Sequence, residues 1–264
     1  MLNPWLGAKE DGSLPRPRKT GFWFALAALL LRPLLMLLTK RDWRGTEHIP
    51  REGGFIVAAN HISYFDPIAL GHFLYDNGRL PRYLAKSGLF TIPVLGSILR
   101  SMGQIPTYRG TKDAARSLRD AVAAVRRGEC VIILPDGTIT RDPDLWPMVG
   151  KTGVARVALT TGAPVIPIAQ WGPQEVLSPY SKKLELLPRK TMRIKAGPPV
   201  DLSEFAGQEL TGPVLRAATD KIVAAIVEQL EELRGEKAPP ERYDMRKTGV
   251  PETGNPAKRQ RGRR

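Results

Sequence analysis

The sequence predicts an α/β fold: a mixed, largely parallel sheet covered by helices, preceded by an N-terminal membrane-embedded helical element. From about residue 45 to 235, short apolar runs alternate with segments of helical periodicity, the pattern of strands and helices packed in layers. Ahead of them stands an apolar block from Phe22 to Leu38. Four segments follow: a polar, proline-bearing stretch over 1–20, a membrane-associated helical element over 21–44, one domain over 45–235, and a tail over 236–264. The tail is rich in proline, glycine and charge and ends in Lys258-Arg259-Gln260-Arg261-Gly262-Arg263-Arg264, a composition that predicts disorder.

The elements follow in order. As a straight helix the Phe22–Leu38 block would run about 26 Å, short of the ~30 Å hydrocarbon core. Arg32 falls near its middle, and Pro33 breaks or kinks a helix. A shallow pair of helices therefore fits better than a single span. Thr39-Lys40-Arg41-Asp42-Trp43 offers no small-residue cleavage site, which argues against a removed leader. Strands are predicted near 54–59, 81–86, 103–107, 130–135, 164–169 and 191–196. Helices are predicted near 66–76, 92–101, 111–127, 151–161 and 212–234. Ala114, Leu118, Ala121, Val122 and Val125 recur at the spacing of one buried helix face, and Gly128 is the stop signal after it. Pro167 inside Val165-Ile166-Pro167-Ile168 predicts a position near a sheet edge or strand end.

Composition bounds the function. At 264 residues the chain is long enough for one sizeable core. Its 40 Lys plus Arg against 26 Asp plus Glu leave +14, a charge that draws anionic lipid, phosphorylated small molecules or nucleic acid. One cysteine excludes an internal disulfide framework, and with only three histidines no Cys/His zinc cluster is expected. Cys130 lies in the apolar run Cys130-Val131-Ile132-Ile133-Leu134 and reads as core packing.

The chemistry concentrates in Asn60-His61-Ile62-Ser63-Tyr64-Phe65-Asp66, directly after the apolar run 54–59. Histidine exchanges a proton near neutral pH, and a carboxylate fixes its tautomer and raises its basicity. On a regular helix, residues five apart lie about 140° from each other, so the segment must turn for Asp66 to reach His61. Pro67 suits a first helical turn, and Asp66 suits the cap before it. Three more segments follow: Gly103-Gln104-Ile105 with Arg109 just after a short strand, Leu134-Pro135-Asp136-Gly137-Thr138-Ile139 at a strand end, and Val165-Ile166-Pro167.

In this order the four segments resemble the glycerolipid acyltransferase family, specifically its 1-acylglycerol-3-phosphate acyltransferase branch. That pattern runs Asn-His-x4-Asp, Gly-x-Ile-x3-Arg, Phe-Pro-Glu-Gly-Thr-Arg and Val-x-Pro, and the resemblance covers roughly residues 45 to 200. It implies that His61 is the general base removing the proton from an acceptor hydroxyl as that oxygen attacks an acyl thioester. Asp66 then orients His61 and stabilises the imidazolium, with no acyl-enzyme on Ser63. By the same resemblance Asn60, Arg109, Asp136, Gly137, Thr138 and Lys151 form the substrate-binding set. Arg109 holds the acceptor phosphate as a permanently charged fork, and Lys151 stands before a helix start, itself an anion site. No cofactor or metal is implied, only acyl-CoA or acyl-ACP as donor. The implied partners are this donor, a lysophospholipid acceptor, an anionic membrane surface and, in the second case, the acyl carrier protein, with no specific nucleic acid. The implied location is the cytoplasmic face of the cell membrane, with a monotopic or shallow attachment.

Two positions depart from the pattern. Asp136 stands where the family usually has glutamate, and Ile139 where it usually has arginine, which leaves the acceptor open between lysophosphatidic acid and another lysophospholipid or a glycolipid. Gly150-Lys151-Thr152 suggests a phosphate-binding loop, but Leu145 occupies the required first glycine and Trp146-Pro147 precede it where a strand should stand. A basic membrane-binding protein without catalysis is the remaining alternative.

Overall fold

The computed structural model describes residues 21–108, 114–248 and 255. Its strands are β1 (Thr39–Arg44), β2 (Phe55–Ala59), β3 (Pro81–Lys86), β4 (Ile105–Thr107), β5 (Cys130–Ile133), β6 (Val165–Trp171) and β7 (Lys190–Ala196). Its helices are α1 (Phe22–Leu38), α2 (Asp66–Asp76), α3 (Leu95–Ser101), α4 (Ala114–Arg126), α5 (Gly153–Thr161), α6 (Pro173–Val176), α7 (Gly212–Arg234) and α8 (Met245–Thr248). The strands form one sheet in the order β1-β7-β6-β2-β5-β3-β4. Five neighbours from β6 to β4 run parallel. β7 is antiparallel to β6, and β1 runs parallel to β7.

The central strand shows why the apolar runs are continuous. Every residue of β2 is buried, as expected for a strand covered on both faces. Phe55, Val57 and Ala59 point into the layer that contains α2 and Leu35 of α1. Ile56 and Ala58 point into the opposite layer, with α4, α5 and α7. Cys130 on β5 is buried in the first of these layers, with Phe55 and Val57, and burial pushes its thiol up to about 12, which makes it inert core packing. The carboxyl ends of β2 and β5 thus open at one edge of a rigid, dry layer, the place where an open α/β sheet carries its site.

Several expectations require correction. The 21–44 segment is not a helical unit: α1 continues through Arg32 and Pro33 as one helix, and residues 39–44 leave it as β1. A proline costs a helix one hydrogen bond, yet α1 is fastened on both sides of Pro33. The Arg32 guanidinium pairs with Asp76 at 2.7 Å, Phe24 stacks on Tyr75, and Arg189 caps the carbonyls of Met36 and Thr39. β1 escaped notice because it is an edge strand of mostly charged residues with no apolar alternation. Trp43 of β1 packs edge-on against His72 and Phe73. Among the described residues no helix is long and apolar enough to cross a membrane.

Residues 236–248, expected within a disordered tail, pack against the domain. Val149 N–H bonds to Tyr243 O, Arg242 pairs with Asp220, and Met245 is buried. β6 is an interior strand, not an edge. It accepts Pro167 because that residue lies opposite Gly197, one step beyond the end of β7, and its carbonyl takes the Gly197 N–H at 2.9 Å.

Candidate active site

The site starts where β2 ends. After Ala59 the chain turns through residues 60–65 and enters α2 at Asp66-Pro67. Asp66 does not cap that helix. As its first residue it folds its carboxylate back into the turn, where Oδ2 accepts from Ile62 N–H (2.6 Å), Ser63 N–H (2.9 Å) and His61 Nδ1–H (2.7 Å). Three donors converging on one oxygen place the imidazole proton on Nδ1, which leaves Nε2 as the acceptor. The His61 side chain keeps 16% exposure against 1% for Asp66, so the ring is the reachable member of the pair. Burial pushes the Asp66 carboxyl up, and the bonds from His61, Ser63 and Ile62 pull it back. The turn is braced from outside. Ser63 Oγ donates to Leu177 O and accepts from Phe65 N–H, and the Tyr83 hydroxyl holds Pro67 O at 2.7 Å.

Asn60 is 1% exposed, with its amide turned inward. Its Nδ2 donates to Gln170 O (3.0 Å), its Oδ1 accepts from Gln170 N–H (2.9 Å), and Gln170 Nε2 returns a bond to Asn60 O (2.9 Å). The side chain thus extends the β2–β6 pairing by one rung past the strand end and sets where His61 emerges. Asn60→Ala would leave the Gln170 main-chain N–H and C=O unpaired in the interior, and we expect a loss of about 3 kcal/mol. Urea denaturation checks this as a lower midpoint at unchanged slope.

The segment after β5 closes the other side. Thr140 N–H bonds to His61 O at 2.8 Å, and Lys151 N–H to Pro135 O at 2.8 Å. Gly137 adopts φ +69°, and a β-carbon there would press within 3.0–3.6 Å of the Lys151 side chain, so this turn lets the exposed lysine lie across it. Thr138 neighbours the Tyr180 hydroxyl, which donates to Ile139 O at 2.5 Å. The structure therefore gathers His61, Asp66, Gly137, Thr138 and Lys151 at the carboxyl ends of β2 and β5. Asn60 and Asp136 lie beneath that surface, both buried. Arg109 lies outside the described residues. Ile139 is 2% exposed and turned into the core. A cavity of about 620 Å³ between α7 and residues 238–247 is lined by neither His61 nor Asp66.

Sequence reasoning missed Gln170, Ser63, Tyr83 and Tyr180. Gln170 carried one signal, a polar residue inside the apolar strand Val165–Trp171. The others act through main-chain contacts that any sequence leaves unmarked. Among the described residues no group of three or more His, Cys, Asp or Glu is placed to hold a metal ion.

Comparison with known proteins gives the family. Residues 40–171, half the chain, match the family described as Acyltransferase. The 1-acyl-sn-glycerol-3-phosphate acyltransferase of Bacillus subtilis is 31% identical over 163 residues, 61% of this chain and 73% of that protein. The protein of the same description from Borreliella burgdorferi is 30% identical over 171 residues, 63% of this chain and 65% of its own length. A chloroplastic counterpart from Brassica napus is 30% identical over 140 residues, 52% of this chain, and the match spans only 39% of that longer protein. The crystal structure of the 1-acyl-sn-glycerophosphate acyltransferase of Thermotoga maritima superposes with a TM-score of 0.60 at 25% identity, covering 81% of each chain. A parallel-centred sheet with a histidine and a buried carboxylate at the end of its middle strand, and these relatives, lead to one assignment: the chain belongs to the acyltransferase family.

Proposed function

We propose that this chain is a membrane-associated O-acyltransferase that moves a fatty acyl group from an acyl thioester, acyl-CoA or acyl-ACP, to the free hydroxyl of 1-acylglycerol-3-phosphate, giving phosphatidic acid. The observation that carries the chemistry is the 2.7 Å contact between His61 Nδ1 and Asp66, with Asp66 held by two further main-chain donors. His61 Nε2 takes the acceptor's hydroxyl proton as that oxygen attacks the thioester carbonyl carbon. The tetrahedral intermediate then expels the thiolate, and the imidazolium returns its proton to sulfur. Asp66 keeps the ring in its working tautomer and stabilises the transient positive charge. Gly137, Thr138 and Lys151 line the acceptor's approach, and Arg109 grips its phosphate.

One observation favours a second acceptor reading. Ile139 stands where the family pattern has an arginine, and it is buried, so that position offers an acceptor phosphate nothing. Another lysophospholipid or a glycolipid would then receive the acyl group by the same chemistry. Comparing kcat/KM for 1-acylglycerol-3-phosphate with that for its choline, ethanolamine and glycerol esters and a glycolipid decides between them. The first reading requires the bare phosphate monoester to be preferred; preference for any capped or sugar headgroup rejects it.

The proposed attachment to a membrane rests on α1, and the cytoplasmic face on the family resemblance alone. Phe22, Leu29, Leu30, Leu34 and Leu37 stand exposed along one side of it, while Phe24, Arg32 and Leu35 fix its other side to the domain. The start of α1 abuts the end of α3, and the loop leading into α3 exposes Ile92 and Val94. A helix lying in the interface in this manner needs no span, and the chain's +14 charge favours anionic headgroups. Burying one leucine contributes about 2 kcal/mol. Replacing Leu29, Leu30 and Leu34 together by Gln should therefore lower the fraction that floats with phosphatidylglycerol vesicles at least tenfold. Equal flotation of the triple variant would place the attachment elsewhere.

A further inference from the structure

Asp136 follows β5 at the floor of the site and is 2% exposed, so its carboxylate lies out of an acceptor's reach. Two segments meet on it instead. Met148 N–H donates to Oδ1 at 2.9 Å, and four residues on in the same loop Thr140 N–H bonds to His61 O of the β2–α2 turn at 2.8 Å. The Met148 N–H and the His61 imidazole and main-chain N–H favour the charged form of Asp136. Among the described residues Oδ2 is buried without a hydrogen-bond partner. Of the other charged groups, Asp66 opposes its ionisation, and Lys151 lies across the neighbouring Gly137.

We propose that Asp136 is a positioning residue for acyl transfer: it ties the 146–149 segment to the turn that carries His61, and it sets a second carboxylate within electrostatic reach of the imidazole, favouring the imidazolium formed when the acceptor loses its proton. This inference rests on His61 being the general base. It gives the aspartate in the third block a task on the enzyme's own base, not on the acceptor. Burial pushes this carboxyl up to about 7, so its charge appears in the range where a histidine base works.

Asp136→Asn separates the two parts of the role, since the amide oxygen can still accept from Met148 N–H while the charge is gone. We expect kcat to fall about tenfold with KM for donor and acceptor each unchanged within about twofold. The acid limb of the kcat profile should lose the step at which Asp136 ionises. An unchanged kcat and acid limb would overturn the proposal, and so would a raised acceptor KM, which marks a substrate ligand. If the variant does not fold, NMR titration of the His61 ring in the unaltered protein decides. Two steps, one tracking Asp136, support the coupling, and a single step rejects it. An inactive His61→Ala beside an unaffected Asp136→Asn rejects only this inference, whereas an active His61→Ala removes the base itself.

Discussion

His61→Ala lowers kcat for acyl transfer by about 10³-fold, within the range that general-base catalysis contributes, while leaving the fold intact. The side chain keeps partial exposure and hydrogen-bonds Asp66, so its loss opens no large cavity in the core. Substrate binding should survive, because the base acts on the acceptor proton and not on either substrate's anchor. The expected signature is therefore a collapse of kcat at nearly constant KM for both substrates. Steady-state kinetics beside a thermal melt checks it: a parallel loss of melting temperature would mean that His61 is needed for the fold, and retained activity would remove it as the base.

Asp66 should show a graded response that follows from its geometry. All three donors converge on Oδ2, and among the described residues Oδ1 has no hydrogen-bond partner. Asp66→Asn can therefore place its amide oxygen at the Oδ2 position and keep the Nδ1–H tautomer of His61, losing only the charge that stabilises the imidazolium. Asp66→Ala loses charge, tautomer control and the brace on the Ile62 and Ser63 N–H groups together. We expect kcat to fall about 10²-fold for Asn and, as for loss of the base itself, about 10³-fold for Ala. Equal losses would mean that orientation counts for nothing beyond charge. A wild-type rate in Asp66→Asn would mean that the charge counts for nothing.

What could be read from the sequence follows the reach of each interaction. His61 and Asp66 are five residues apart, and proton transfer demands those side-chain types, so local spacing exposed them. The β2, β5 and β6 runs were legible because strands covered on both faces are almost continuously apolar. Gln170 grips Asn60 across 110 positions, and nothing local in either residue announces the other. Asn60 and Asp136 consequently read as substrate ligands, although both face inward. Arg32 read as an obstacle to a helix because its partner, Asp76, lies 44 residues on. β1 was hidden by its charge. The antiparallel entry of β7 and β1 was equally unreadable, since the alternation of apolar runs does not encode strand direction.

The central claim is acyl transfer to a hydroxyl by a His61–Asp66 base, and one measurement reaches it most directly. Incubate the full chain in detergent or anionic vesicles with an acyl thioester, with and without 1-acylglycerol-3-phosphate, and count released thiol against phosphatidic acid formed. The account predicts thiol release that requires the acceptor, matches the phosphatidic acid mole for mole, and disappears in His61→Ala. Thiol released at the same rate without acceptor, or undiminished in His61→Ala, would contradict it.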